Sequence, residues 1–448
     1  MSMNRRDFLK TGAMATLATG VGARTRVGLA APRGATDDVL IVVFLRGAMD
    51  GLSLVPPIDG DLRTDYELAR SATRIPASGA NAALPLANSG GLWGLHPRAS
   101  GLHSLYQDGK LAVIHAVGMV HQPVSRSHFD AQAFMEYGLN GRSGSEGWLT
   151  RHLASAGLPP EVAIPAVSAG AITAASLLAS TETITMASGS EFRLNTGDWA
   201  WRNAENTSGN PGFADVLPSL WQGSELVERK GRQALDALEQ IESIDFSAYV
   251  PGNGVTYPST SFASQLKMLA TLIRHPELGL RVATVDYGGW DTHNGQGNPG
   301  QSYDWFGNLT QTLSEGLFAL CSDLDGSHLQ RVNVIVMSEF GRRVLENDAG
   351  GTDHGYGNVW LALGGAVNGG RTFGDFPGLD RDHLFERADV TVTTDYRHVL
   401  AEAMNRRLGN PNVHYVFPEY PAYTPLGIFQ GTDLPPSNYD SIFADGFD

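Results

Sequence analysis

Short, uninterrupted apolar runs recur along the chain and limit its fold more than any other feature. The first, Val39–Leu45, reads VLIVVFL and ends at Arg46-Gly47. A strand with one face in solvent alternates apolar and polar residues, whereas a strand buried on both faces of a parallel sheet is apolar throughout. Similar runs lie at residues 111–117, 281–285, 332–337 and 360–363. We therefore expect a central sheet that is covered on both faces.

Helical patterns separate these apolar runs. The clearest lie at residues 129–137, 217–241, 262–273, 302–324 and 396–408. Strands that alternate with helices predict an α/β three-layer sandwich around a mainly parallel central sheet. In that architecture ligands bind beyond the carboxyl ends of the strands. Functional side chains are therefore expected directly after the apolar runs.

The N-terminus predicts an export signal. Asn4-Arg5-Arg6-Asp7-Phe8-Leu9-Lys10 precedes a weakly apolar stretch at residues 11–23 and the small residues Leu29-Ala30-Ala31. This pattern is typical of a twin-arginine signal peptide, here residues 1–30 with cleavage after Ala30. The stretch is too short and too polar for a membrane span of about 20 residues. We expect the Tat export machinery to carry the folded protein to the periplasm or out of the cell.

The rest of the chain is interpreted as one domain with a tail. Residues 31–419 form the domain, with irregular excursions at residues 58–92 and 181–213, and residues 420–448 form a Pro-rich tail that we expect to be loosely attached. Trp93, Trp199, Trp201 and Trp221 lie in or near the excursions. They could stack on sugar rings, although core packing is the commoner use of tryptophan.

Composition narrows the classes of partner. The formal net charge of −15 argues against nucleic acid and against an anionic membrane surface. Cys321 is the one cysteine of 448 residues, so the exported protein has no intramolecular disulfide and packing must hold its core. No apolar run after the signal approaches spanning length, and we expect the cleaved protein not to be an integral membrane protein.

Acids and imidazoles follow several of the predicted strands. Asp50 comes shortly after the first strand between glycines, where it could bind a metal or cap a helix. Asp291 and His293 follow the strand at residues 281–285 through Gly288-Gly289, and their alternate spacing in an extended segment places both side chains on one side. They could bind one metal, or form a hydrogen-bonded loop pair. Asp286 is a reserve candidate.

Two further segments carry the same residue types. Glu339 directly follows the strand at residues 332–337, and Arg342 and Arg343 after it could fork onto an anionic oxygen. Asp353-His354 lies in a glycine-rich loop before the strand at residues 360–363. Together, the acids and imidazoles at the ends of separate strands predict a divalent metal site.

A serine-rich turn precedes the predicted helix at residues 129–137. Ser125-Arg126-Ser127-His128 places a serine at the helix start. Ser127 or Ser125 could be a plain N-cap, or a nucleophile deprotonated by a bound metal. His128 could instead be a metal ligand.

The order of these segments resembles the DUF1501 family of exported bacterial proteins. The matching segments are residues 44–50, 95–97, 109–113, 127–132, 290–293, 339–342 and 353–355. That family in turn resembles the alkaline phosphatase and sulfatase superfamily. The second resemblance implies an alkaline-phosphatase-like fold and two bound metals, with Asp50 as the first carboxylate, Asp291 and His293 as the middle pair and His354 as the late histidine.

The chain departs from that superfamily at two places. Glu339-Phe340 stands where an Asp-His pair is expected, so Asp353 or His128 would substitute, or a single metal would bind. Residues 121–126 do not reproduce the motif that sulfatases convert to formylglycine. Ordinary formylglycine sulfatase chemistry is therefore not expected.

The leading hypothesis is an exported metal-dependent hydrolase of phosphate or sulfate esters. Its substrate would be a small-molecule or polysaccharide ester, and its cofactor one or two ions of zinc, calcium or manganese. The metal ligands would come from Asp50, Asp291, His293, Glu339, Asp353 and His354, and the catalytic groups from Ser127, His128 and Arg342. The alternatives are a non-catalytic envelope or polysaccharide-binding protein on a degenerate phosphatase or sulfatase fold, and a metal that only braces the loops.

Overall fold

The computed structural model describes residues 37–120, 124–159, 162–189, 192, 212–420 and 422–436. The strands of this part of the chain are β1 (Val39–Leu45), β2 (Leu84–Pro85), β3 (Gly94–Leu95), β4 (Leu111–Gly118), β5 (Ala166–Ala169), β6 (Thr183–Met186), β7 (Val282–Tyr287), β8 (Val332–Met337), β9 (Arg342–Glu346), β10 (Thr352–His354), β11 (Asn358–Gly364), β12 (Arg371–Phe373) and β13 (Thr394–Asp395). The predicted signal peptide, residues 1–30, lies outside the described residues.

Nine of the strands form one central sheet. Their order is β12-β4-β11-β8-β1-β7-β5-β6, and β13 also pairs with β4. At the centre, Val43 of β1 lies opposite Val285 of β7 and Val336 of β8. Every pairing in this sheet is parallel except the two made by β11, which runs against β4 and β8. The predicted mainly parallel central sheet is confirmed.

The reversed direction of β11 decides which loops meet. Because β11 is antiparallel to β8, its first residue, Asn358, lies at the edge where β1, β7 and β8 end. We call this edge the carboxyl edge. The loop that enters β11 therefore reaches the same place as the loops that leave β1, β7 and β8.

The sheet separates two hydrophobic cores. Side chains of a strand point alternately to its two faces, and Val39, Ile41, Val43 and Leu45 join one core while Leu40, Val42 and Phe44 join the other. Helices Gly60–Ala69, Ser100–Gln107, Leu226–Glu242, Ser261–Ile273 and Trp305–Asp323 contribute to the first core. Helices His128–Glu136, Trp148–Ser155, Tyr396–Glu402 and Val413–Val416 contribute to the second. All seven residues of β1 are buried, as its uninterrupted apolar sequence predicts.

Three predicted elements differ from the structure. The helix expected at residues 217–241 is two helices, Phe213–Leu220 and Leu226–Glu242; the first contains Pro218, and a capping box between Glu225 and Glu228 starts the second. The first irregular excursion contains the helix Gly60–Ala69. The second contains β6, which is paired along the edge of the sheet, and most of its remainder lies outside the described residues.

The C-terminal segment is attached more firmly than its sequence suggests. Ile428 and Phe429 are fully buried. The carboxylate of Glu402 accepts backbone hydrogen bonds from Leu426, Gly427 and Phe429. The expectation of a loose tail is therefore wrong for this part, and residues 437–448 lie outside the described residues. Within the described ranges, every helix is too short or too polar to cross a bilayer.

Candidate metal centre

The loops at the carboxyl edge are held together by their own backbones. Gly47, just after β1, donates its N–H to the carboxylate of Glu339 after β8 at 2.8 Å. Its φ is 115°, and a Cβ at this position would lie 2.5 Å from the backbone nitrogen of Asp291. Only glycine permits both this conformation and this close approach. The β1 loop thereby fixes the loops that follow β7 and β8.

Three imidazoles surround one carboxylate at this edge. The Nε2 atoms of His128, His293 and His354 lie 3.5, 3.3 and 3.4 Å from Oδ1 of Asp291. The ligand atoms of His128, Asp291 and His354 all lie within 4.8 Å of one another. The sequence predicted Asp291, His293 and His354 as one group, and the structure brings them together with His128 at the start of its helix.

The other ring nitrogen of each histidine has a fixed partner. Nδ1 of His128 lies 2.7 Å from the carboxylate of Glu339, and Nδ1 of His293 lies 3.2 Å from that of Asp353. Nδ1 of His354 lies 2.8 Å from the backbone carbonyl of Arg126. Histidines that bind metals generally have such a partner, which fixes the ring orientation and leaves Nε2 for the metal.

The Nδ1 contacts of His293 and His354 turn the Nε2 atoms of these two imidazoles toward each other. A carbonyl oxygen only accepts, so His354 carries its proton on Nδ1, and burial lowers the pKa of His354 and favours the neutral ring. The Nε2 atoms of His354 and His293 are 2.8 Å apart. Two neutral rings with Nε2 lone pairs would repel each other at that distance. A proton or a metal cation between them removes the repulsion.

Nε2 of His128 makes no hydrogen bond within the described residues, although Oδ1 of Asp291 lies 3.5 Å away. This atom is shielded from solvent. The hydrogen bond to Glu339 raises the pKa of His128. Phe340 stacks beneath the imidazole with ring centroids 5.2 Å apart. A nitrogen held in a fixed place without a partner is suited to a metal ion.

Glu339 supports the cluster from behind. Its side chain is fully buried and accepts hydrogen bonds from Gln132, from Gly47 and from Ser338 in addition to His128. Burial alone would raise its pKa, but the hydrogen bonds from His128 and Gln132 hold the pKa of Glu339 below its usual range. A carboxylate so fully hydrogen-bonded is placed to orient His128 rather than to act as a metal ligand.

Arg342 is committed to protein groups. Its guanidinium is buried and donates to the backbone carbonyls of Gly47, Ala48 and Thr352 at 2.6 to 2.8 Å. It also donates to Oδ1 of Asp291 at 2.6 Å. Although burial favours the neutral acid, this contact holds the pKa of Asp291 below its usual range. The predicted fork onto a substrate oxygen would require Arg342 to give up these partners.

Asp50 lies in a separate buried network. Its carboxylate forms a two-pronged ion pair with Arg70, and it also accepts from Ser53 and Gln296. Both partners of the pair are fully buried. Burial would raise the pKa of Asp50, but the Arg70 guanidinium holds it below its usual range. The structure does not place Asp50 among the imidazoles.

The remaining candidates hold the surrounding loops. Asp353 receives a hydrogen bond from Asn347 at 3.0 Å and orients His293. Asp286 pairs with Arg46. The hydroxyl of Ser127 caps its helix by accepting from the backbone of Asp130 at 3.4 Å. Ser125 makes a weak contact with the side chain of the same aspartate.

Three supporting residues were not predicted. Gln132 lies four residues after His128, hence on the same helical face, and this spacing was a usable signal. Asn347 precedes Asp353 by six residues, and Arg70 ends a helix within a segment interpreted as irregular. No local pattern connects either residue with the partner that it contacts.

The charged side chains in and around the cluster carry a net negative charge. Asp291, Glu339 and Asp353 contribute three carboxylates and Arg342 one guanidinium, which leaves two negative charges when the imidazoles are neutral. The side chain of Asp291 is 49% exposed. The cluster is therefore open to solvent and electrostatically suited to a divalent cation.

Two family models match the chain. The model for DUF1501, described as a protein of unknown function, matches residues 37–414. The model for the TAT (twin-arginine translocation) pathway signal sequence matches residues 2–22, so the protein is exported through that pathway to the periplasm or the exterior. No curated protein matches the chain.

Proposed function

The chain belongs to the DUF1501 family, which is described as being of unknown function. We propose that this protein is an exported metal-dependent hydrolase of phosphate or sulfate esters. The ligands of its metal are His128, His354 and Asp291, whose ligand atoms all lie within 4.8 Å of one another, and His293 stands beside them. Glu339, Asp353 and Arg342 are positioning residues. The positions of the acids and histidines at the strand ends also support a distant relation to the alkaline phosphatase and sulfatase superfamily.

The observation that carries this proposal is the spacing of the ligand atoms. In a tetrahedral site with metal–ligand bonds of about 2.0–2.1 Å, neighbouring ligand atoms lie about 3.3–3.4 Å apart. Nε2 of His128 and Nε2 of His354 lie 3.5 and 3.4 Å from Oδ1 of Asp291. Ordinary hydrogen bonds between such groups are shorter. These spacings match a metal site, whereas Nε2 of His293 lies 2.8 Å from Nε2 of His354, closer than two ligand atoms of one tetrahedral ion.

The donor atoms favour a zinc-like ion. Two imidazoles and one carboxylate suit zinc and other transition metals, whereas calcium prefers six to eight oxygen ligands. Of the three metals expected from the sequence, calcium is the poorest fit. A single ion is the natural stoichiometry, because Asp50 is bound to Arg70 and Phe340 stands against His128 and His354.

The residues around the ion supply orientation and access. With three protein ligands, a divalent ion held here would keep a fourth position for a water molecule, whose pKa it would lower, and it would polarise an ester oxygen. The partners of the three Nδ1 atoms hold the imidazoles in place, and Arg342 holds Asp291. The exposed face of Asp291 leaves the cluster accessible to an ester group from solvent.

One observation favours a second candidate function. The hydroxyls of Ser125 and Ser127 contact helix N-terminal groups, and no described contact joins either hydroxyl to the cluster. Without a serine nucleophile, the site could bind a metal and an anionic ligand without turnover. This matches the alternative of a non-catalytic envelope protein.

The test is elemental analysis of the natively exported protein, followed by assays with p-nitrophenyl phosphate and p-nitrophenyl sulfate. We expect one zinc-like ion per chain, and turnover that is lost with chelator and restored by the metal. His354→Ala should lose the metal. The matched control is His275→Ala, which removes a half-exposed histidine paired with Glu277.

Each outcome separates the two candidates. Stoichiometric metal without turnover of either ester would favour the binding protein. Absence of stoichiometric metal in the wild-type protein would contradict the site itself.

A further inference from the structure

The exposed aromatic side chains of the described residues all lie beside the metal-ligand segments. They are Phe129, Tyr303 and Trp305, which are 88%, 56% and 42% exposed. Phe129 directly follows His128. Large aromatic side chains are mostly buried in folded proteins. The exposure of three of them beside the segments that carry His128, Asp291 and His293 therefore points to a binding surface.

Two of these rings pack against the loop that carries Asp291 and His293. The indole N–H of Trp305 donates to the carbonyl of Gly289 at 3.0 Å, and its ring lies 3.7 Å from the position that a Cβ of Gly289 would occupy. The ring of Tyr303 lies 3.4 Å from the corresponding position at Gly295. Gly289 is two residues from Asp291, and Gly295 is two residues from His293, a separation of at most about 7 Å along the backbone.

The segment around these rings is polar but uncharged. Residues 292–303 read THNGQGNPGQSY, without aspartate, glutamate, lysine or arginine. The exposed side chains between the ligand loop and the rings are Asn294, Gln301 and Ser302. Amides and hydroxyls of this kind both donate and accept hydrogen bonds. The surface therefore combines aromatic faces with neutral hydrogen-bonding groups.

We propose that residues 294–305, together with Phe129, form a carbohydrate subsite, which makes the ester substrate a sugar ester. The inference rests on the proposed hydrolase function for its reaction and on the aromatic surface for its substrate class. The C–H faces of a pyranose ring pack on aromatic side chains, and its hydroxyl groups pair with amides and hydroxyls.

The same surface fits other ligands poorly. A lipid surface requires a contiguous apolar patch or a basic cluster, whereas the exposed side chains between the ligand loop and Tyr303 are the polar Asn294, Gln301 and Ser302. A charged peptide or polyanion requires opposite charges, which residues 292–303 lack. Trp93, a candidate for sugar stacking from the sequence, is buried against His115 and Phe376 and is not available.

The experiment is isothermal titration of the full mature protein with neutral tetrasaccharides built from glucose, galactose, mannose and N-acetylglucosamine. We expect at least one to bind. The double variant Tyr303→Ala/Trp305→Ala should weaken that binding at least tenfold, while Tyr303→Phe, which keeps the ring, should stay within threefold. The matched control is Val250→Ala, at a highly exposed apolar residue outside the proposed subsite, and it should leave binding unchanged.

The outcomes distinguish this inference from the proposed function. Failure of every tetrasaccharide to bind the wild-type protein, or equal binding by the double variant, would overturn the subsite even if metal and ester turnover are found. Sugar binding that disappears in the double variant, in a protein without metal or turnover, would support the subsite and overturn the hydrolase. Metal content of the double variant should equal that of the wild type, because neither ring belongs to a ligand.

Discussion

Asp50 and Asp291 both follow strands at the carboxyl edge, but they belong to opposite kinds of environment. Asp50 is buried with Arg70, and the donors around it match its acceptors. Asp291 is half exposed, and three imidazole Nε2 atoms face it at distances longer than good hydrogen bonds. The location of an acid after a strand is therefore a weak guide to its role. The balance of donors and acceptors around it distinguishes a closed structural network from an open binding site.

The largest expected effect is on the closed network. Arg70→Met should lower the free energy of unfolding by about 3–5 kcal/mol, because it leaves the buried carboxylate of Asp50 without its cation. Urea denaturation would measure the change. The folded fraction should still bind metal with wild-type stoichiometry. Loss of metal from the folded variant would contradict the separation of the two networks.

Removal of one ligand from the open cluster should lower metal affinity, and the free-energy change should be slightly smaller than the loss of stability in Arg70→Met. Structural zinc binds with about 10–16 kcal/mol from four ligands, so each of His128 and His354 contributes about 2.5–4 kcal/mol, or a factor of about 70 to 900 in affinity. Competition with a fluorescent chelator would compare the alanine variants. Asp50→Asn is the control and should retain affinity. An alanine variant with wild-type affinity would remove that histidine from the ligand set.

Glu339 is buried like Asp50 but contacts the cluster, so its replacement tests whether a buried carboxylate orients a ligand or binds the metal itself. Glu339→Gln keeps the shape and an acceptor oxygen but loses the charge that orients His128. Metal affinity should fall about 10–100-fold, the usual effect of losing a partner of a metal-bound histidine. Complete loss of metal would instead make Glu339 a ligand. The same chelator competition distinguishes the results.

Acid should affect the closed network in a defined direction. The folded-state pKa of Asp50 is lowered, since the Arg70 guanidinium outweighs burial. Its contribution to stability is therefore complete above the unfolded pKa of about 3.9 and is lost as pH falls through the folded value. Denaturation of the chelated protein below pH 4 should show a weaker pH dependence in Asp50→Asn than in the wild type. Equal slopes would show that Asp50 contributes nothing to acid sensitivity.

The smallest expected effect is at the helix start. Ser127→Ala removes the N-cap contact to Asp130 and should cost about 1 kcal/mol of stability. We expect ester turnover to persist, because the described contacts of the hydroxyl are to the helix and not to the cluster. Abolished turnover with intact metal binding would assign Ser127 as the nucleophile. Ser125→Ala is the matched control.

The sequence predicted the sheet well because a strand buried on both faces, such as β1, is apolar at every position. It could not predict that β11 runs against its neighbours, since strand direction depends on the whole topology. The helix split near Pro218 was missed because the apolar periodicity continues across it.

The cluster of imidazoles around Asp291 was predicted in part for a similar reason. Local spacing indicated that Asp291, His293 and His354 lie together, and His128 was left open between a ligand and a catalytic role. Asp50 was predicted as a ligand from its position after β1, and its partner, Arg70, lies twenty residues away in a segment interpreted as irregular. Arg342 was predicted to face the substrate, and its carbonyl partners lie on loops far apart in sequence.

The position of β11 between β4 and β8 sets the order in which the protein can mature. Its residues are made more than two hundred positions after β4, and His354 enters just before it. The cluster is therefore complete only when nearly the whole chain has been synthesised and this long-range pairing has formed, a slow step in folding. A twin-arginine signal sends proteins across the membrane already folded. The proposed metal would accordingly be selected in the cytoplasm, from the ions available there, and not from the compartment in which the protein works.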